Sequence, residues 1–167
     1  MIQNSDNPSS LDRDNIYEQL CSQAISLIKG ESDLIANMAN ISALIKEALG
    51  FHWVGFYLVK NGELVLGPFQ GPIACTRIAL GKGVCGTAWA EARTIVVEDV
   101  EKFPGHIACS ALSRSEIVIP MKNENGEVIA VLDIDSSQIA DLGSSDQSYL
   151  ERIVDHLMKN EHTVNAS

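Results

Sequence analysis

The chain has 167 residues, 46% of them apolar and 20% charged, which suits one globular domain and argues against disorder. A net charge of −10 and a pI near 4.7 leave no basic footprint for nucleic acid or an anionic membrane surface. No apolar run reaches the length of a membrane span, and MIQNSDNPSS has neither the basic nor the apolar stretch of a signal peptide. The expected location is therefore the cytoplasm, where disulfides are uncommon unless catalytic or redox-sensing. Four cysteines, Cys21, Cys75, Cys85 and Cys109, have to be explained in that setting.

Residues 1–10 and 159–167 are polar and read as flexible tails, with one domain over 11–158. Ile16, Leu20, Ala24 and Leu27 recur at helical spacing and predict a helix from Leu11 to Lys29, stopped by Gly30. A second stripe of Leu34, Met38, Ile41, Ile45 and Ala48 predicts a helix over Asp33–Leu49. Phe51–Lys60 is aromatic and β-branched, and Asn61-Gly62 then joins it to Glu63–Leu66 as a hairpin. Asn125-Gly126 repeats the signal between Glu116–Met121 and Val128–Ile134. Pro120 places its strand at an edge or a bulge.

Between the hairpins the sequence predicts a strand at Arg77–Leu80, a glycine loop, a short helix over Thr87–Ala92 and a strand at Thr94–Glu98. These form a βαβ-like insertion. An irregular loop follows over 99–113. A last helix starts at Ser144, with Ser144 and Gln147 at capping-box spacing. The order gives an α+β class, a central antiparallel sheet flanked by N-terminal and C-terminal helices.

Gly81-Lys82-Gly83-Val84-Cys85-Gly86 matches G-x-G-x-x-G and raises a dinucleotide site, with Asp99 as its acid. The helix that follows is too short for such a crossover, and the hairpins argue for a different topology. Cys85 just before a helix start has its thiol favoured toward thiolate by the dipole. Cys109 lies in a loop with His106 and Arg114 near enough in sequence to favour its thiolate. Cys75 lies in another loop. Cys21 fits simple packing. The spacings Cys75-x9-Cys85 and Cys85-x23-Cys109 lack the paired cysteines of a zinc site, so no metal is expected and dithiol chemistry is the simpler reading.

Asp133 and Asp135 point to one face of an apolar strand, where burial and mutual repulsion raise a carboxyl pKa. Taking Asn125-Gly126 as the turn pairs Glu116 near Asp135. Trp53 and Tyr57 share a face of the first strand, either as core or as a pocket wall.

The stretch from Gly67-Pro68-Phe69-Gln70-Gly71-Pro72 through Cys75 to Gly86-Thr87-Ala88 resembles the free methionine-R-sulfoxide reductases. So do Phe103-Pro104-Gly105-His106-Ile107-Ala108-Cys109, Ser113-Arg114-Ser115-Glu116 and Val131-Leu132-Asp133-Ile134-Asp135-Ser136. That family is a catalytic branch of the GAF fold, and the resemblance covers residues 15–158. It implies reduction of free L-methionine-(R)-sulfoxide to L-methionine, with thioredoxin as reductant and no metal or organic cofactor. It implies Cys109 as nucleophile, Cys85 as the usual resolving cysteine and Cys75 as a third cysteine able to exchange. It implies Glu116, Asp133 and Asp135 as pocket acids and Trp53 and Tyr57 as the aromatic wall. It also implies a homodimer.

Overall fold

Two hairpins organise the sheet. In the computed structural model, which describes residues 10–107 and 109–165, β1 (Trp53–Lys60) turns through Asn61 and Gly62 into β2 (Glu63–Gln70). Both turn residues have positive φ, at 53° and 80°, as the tight hairpin requires. The second hairpin joins β5 (Ser115–Lys122) to β6 (Val128–Ser136). Its turn differs from the two-residue expectation. Asn123–Glu127 form a wider loop in which only Gly126 has positive φ, and a bulge at Met121/Lys122 absorbs the extra residue. Beyond the bulge the register is the expected one, with Glu116 opposite Asp135.

β3 (Arg77–Ala79) and β4 (Ile95–Val97) complete a six-stranded sheet of order β3-β2-β1-β6-β5-β4, every pair antiparallel. The βαβ-like reading of the insertion is therefore corrected. β3 and β4 sit on opposite edges, and the helix between them crosses the sheet rather than linking neighbours. β4 pairs only with residues 116–118, so Pro120 lies where β5 has become an edge.

Three helices cover one face. They are α1 (Ser10–Lys29), α2 (Leu34–Leu49) and α4 (Ser144–Asn165). α2 is bounded by its own sequence. Asp33 accepts from Ala36 N–H at its start, and Gly50 at φ 69° closes its end. Tyr17, Leu20, Met38, Ile41, Ile45, Leu150 and Ile153 pack there against Val54, Phe56, Ile117, Leu132 and Ile134. Cys21 is buried in this core, as packing predicted. At the start of α4 it is Asp146, not Gln147, that reaches back, accepting from Gly143 N–H at 2.8 Å. Tyr17 O–H and Arg13 Nε also donate to Asp146, tying α1 to α4. α4 continues to Asn165, through residues where a polar tail is expected. The expected tail over residues 1–9 lies outside the described residues. No helix among the described residues is long and apolar enough to cross a membrane.

The opposite face carries α3 (Gly83–Glu91) and a second apolar cluster of Trp53, Tyr57, Val84, Ala88, Val118 and Val131. α3 begins four residues earlier than its composition suggests. The glycine motif is explained by packing. A Cβ on Gly86 would stand 2.4 Å from the Ala79 carbonyl oxygen, and Gly81 N–H donates to the Gly86 carbonyl. Asp99 caps the following 3-10 turn by accepting from Glu101 N–H, which gives it a local structural use. Gly86→Ala should destabilise the protein by about 1–3 kcal/mol in urea unfolding, because backbone has to move to admit the methyl.

Candidate active site

Sheet pairing puts five of the predicted residues on one face. Trp53 opposes Asp135 and Gly55 opposes Asp133 between β1 and β6, while Glu116 opposes Asp135 between β5 and β6. Side chains of directly opposed residues share a face, so Trp53, Tyr57, Glu116, Asp133 and Asp135 point together under α3. They line one pocket with Cys85, His106, Cys109 and Ser113. Gly55 is needed inside this wall. A Cβ there would lie 2.3 Å from Phe69 Cβ and 2.6 Å from the Trp53 ring, and the space is used to stack Trp53 on Phe69 at 5.3 Å between ring centroids.

The aromatic pair does more than form a wall. Trp53 Nε1–H donates to the Pro72 carbonyl at 3.1 Å, and Tyr57 O–H donates to the Cys75 carbonyl at 2.9 Å. Both therefore hold the loop that carries Cys75. A second loop, after the 3-10 turn, carries Cys109. Leu112 N–H donates to Ser110 Oγ, and Ser110 Oγ is hydrogen-bonded to His52 Nε2 at 3.0 Å. His52 at the entry to β1 so fastens the residue next to Cys109. A disulfide joins the two loops, Cys75 to Cys109, with 5.4 Å between their Cα atoms. Both cysteines are half-buried, and Cys109 lines the pocket.

Cys85, expected as the resolving cysteine, stands outside the disulfide of this structure. It is a buried free thiol in the first turn of α3, and the disulfide of Cys109 is with Cys75. The helix dipole does not prevail there. Burial pushes the Cys85 thiol well up, and the neighbouring Asp133 and Glu116 push it further. A thiol held protonated is a poor nucleophile.

The acids interact strongly. Burial first, then the other two carboxyls, push Glu116 well above the ordinary carboxylate range. Asp133 is raised well up by burial and by Asp135. Burial pushes Asp135 up to about 6, against a hydrogen bond from Ser113 that favours its charged form. One buried oxygen, Asp133 Oδ1, has no hydrogen-bond partner among the described residues. His106 faces Glu116, with Nε2 3.7 Å from Oε2, and its own burial lowers its pKa, so it is a neutral imidazole at pH 7. The charge of Arg114 acts on Asp99.

Ser113 and His52 were not singled out for this site from the sequence. Ser113 opens the Ser113-Arg114-Ser115-Glu116 stretch without a role assigned to it and His52 carries no motif, and both act through contacts made only when distant segments meet.

A curled antiparallel sheet with a three-helix layer on one face and a pocket on the other defines a GAF domain, and the GAF domain family profile matches residues 31–159. The chain is 56% identical over 139 residues to GAF domain-containing protein A of Dictyostelium discoideum, spanning 83% of this chain and 87% of that one. It is 45% identical over 150 residues to the free methionine-R-sulfoxide reductase of Escherichia coli K12, spanning 89% and 90%. Its structure matches that of free methionine-R-sulfoxide reductase from Neisseria meningitidis, solved in complex with its substrate. The TM-score is 0.88 at 49% identity, covering 92% of this chain and 93% of that one. The chain belongs to the free methionine-R-sulfoxide reductase family.

Proposed function

We propose that the protein reduces free L-methionine-(R)-sulfoxide to L-methionine through a Cys75–Cys109 disulfide that thioredoxin recycles. The observation that carries this reading is the joining of that cysteine pair beside a pocket lined by the buried acids Glu116 and Asp133, the half-buried Asp135 and two aromatic side chains. In the reduced protein, the Cys109 thiolate attacks the sulfoxide sulfur. As its bond to the methionine sulfur breaks, the oxygen takes a proton from Glu116, whose carboxyl burial pushes well above the ordinary range, and passes to Cys109 Sγ. Methionine leaves and Cys109 is left as a sulfenic acid. The Cys75 thiol then attacks that sulfur, water departs and the disulfide forms. One sulfoxide and two thiols thus become one sulfide, one disulfide and one water. Exchange with a dithiol such as thioredoxin restores both thiols.

The unpartnered Asp133 Oδ1 supplies an acceptor for the substrate ammonium, with Asp135 beside it. A peptide-bound methionine sulfoxide has no such ammonium and leaves the buried acids uncompensated, which selects the free amino acid. Trp53 and Tyr57 enclose the aliphatic chain. The same reading makes the protein a cytoplasmic homodimer. NADPH consumption coupled through thioredoxin reductase and thioredoxin tests it, offering free R and S sulfoxides and a peptide-bound sulfoxide. Turnover of the free R form alone is expected. No turnover with any of the three would overturn the proposal.

A further inference from the structure

We propose that the acid end of the pocket is also a binding site for a divalent cation of the zinc type, held by Cys85, Glu116 and Asp133. Each offers one ligand atom, all three atoms lie within 4.8 Å of one another, and all three residues are buried. Cys85 Sγ stands 4.0 Å from Glu116 Oε1. Tetrahedral zinc spaces sulfur and oxygen ligands by about 3.5 Å, so the Cys85–Glu116 pair needs to close by about 0.5 Å and no pair of the three by more than about 1.5 Å.

An independent observation points to a cation. Asp133 Oδ1 is sealed from solvent and accepts no hydrogen bond among the described residues. A buried carboxylate oxygen is costly until a donor or a positive ion meets it. The donor set decides which ion. A thiolate beside two carboxylates suits zinc and disfavours magnesium or calcium, which take oxygen alone. His106, 3.7 Å from Glu116 Oε2, stands where an outer partner orients a ligating carboxylate. With three protein ligands, the fourth position opens on the pocket.

The three ligands come from α3, β5 and β6, far apart in sequence, which is why cysteine spacing gives no sign of them. Binding releases to solvent the Cys85 thiol proton and the protons that burial favours on Glu116 and Asp133, and it involves no change of oxidation state. The ion takes the place that the proposed substrate ammonium would fill. It is an inhibitory ligand rather than a cofactor.

The full-length protein in its Cys75–Cys109 disulfide form isolates the site, since Cys21 and Cys85 are its free thiols. Zinc is titrated by calorimetry without reductant or substrate, and cadmium is used as a second probe. One ion per chain is expected, with an ultraviolet thiolate-to-cadmium charge-transfer band. Cys85→Ser should abolish the band and weaken zinc at least tenfold. Asp133→Asn should also weaken zinc at least tenfold, and covers the case in which Cys85→Ser fails to fold. Cys21→Ser should change neither. Absence of saturable one-to-one binding, or binding and band unchanged in Cys85→Ser, overturns the proposal. No step uses turnover, so a failed reductase assay leaves this test intact.

Discussion

Cys75→Ser should reduce one equivalent of free methionine-(R)-sulfoxide per chain and then stop with thioredoxin as the reductant. Cys109 still attacks, so methionine and a Cys109 sulfenic acid form. No partner thiol then reaches that sulfur, because Cys75 is the cysteine bonded to it in the structure. Cys109→Ser should lose activity by at least about 10³-fold, as expected when the nucleophile itself is removed. Cys85→Ser should keep multiple turnovers, since its thiol is buried, protonated and outside the disulfide. Quenched-flow measurement of methionine, with dimedone trapping of the sulfenic acid, reads all three variants. A single-turnover limit in Cys85→Ser with sustained turnover in Cys75→Ser would restore the pairing that the family resemblance first implied.

The buried acids give the second large effect, on stability and on rate. Asp135 has an ordinary pKa of 3.8 when exposed and about 6 in the fold. Below 3.8 both folded and unfolded chains hold the proton, and this residue costs nothing. Between 3.8 and about 6 the folded chain keeps a proton that the unfolded chain releases. The unfolded state binds fewer protons, so stability falls as pH rises through that window. The gap corresponds to roughly 3 kcal/mol, fully lost above the folded value. Asp135→Asn should therefore be more stable than the parent at pH 8, by up to that amount, and gain nothing near pH 3.5. Urea unfolding at both pH values checks the sign. An equal difference at both would refute the assignment.

The same group of acids should separate kinetically. Glu116→Gln removes the proposed proton donor and should lower kcat by about 10²–10⁴-fold. Asp133→Asn removes an ammonium acceptor and should act mainly through KM. Stability gained where activity is lost is the usual cost of a site that keeps buried charge-bearing groups.

Which parts of this were legible in the sequence follows from what decides each part. The helix spans and the Asn61-Gly62 turn are local and stand close to where periodicity puts them, but the buried face of α1 is turned toward Tyr17, Cys21 and Ile28, which leaves Leu27 of the expected stripe exposed. The register of Glu116 with Asp135 came out as predicted although the second turn is wider, because the bulge at Met121/Lys122 restores the pairing. A buried strand cannot slip by one residue without turning its apolar side chains outward. The start of α3 was obscured by Gly83 and Gly86, poor helix formers that serve close packing. The edge positions of β3 and β4 depend on where a crossing helix sets the chain down, which no local signal encodes.

At the site, which strand side chains share a face was legible in the sequence, and which cysteines are bonded in this structure was not. Trp53, Tyr57, Glu116, Asp133 and Asp135 share a face because strand alternation fixes it. The cysteine pairing depends on two loops meeting beside the pocket, one held by Trp53 and Tyr57, the other by His52 through Ser110. The helix-dipole reading of Cys85 lacked its burial and its two acidic neighbours, which reverse the direction of the pKa change.

The most direct measurement is mass spectrometric mapping of the reduced protein after one equivalent of free methionine-(R)-sulfoxide, with no reductant present. The account predicts two thiols lost per methionine formed, and a Cys75–Cys109 cross-linked peptide with Cys85 recovered as a free thiol. A Cys85–Cys109 peptide, or methionine formed without loss of thiol, would contradict it.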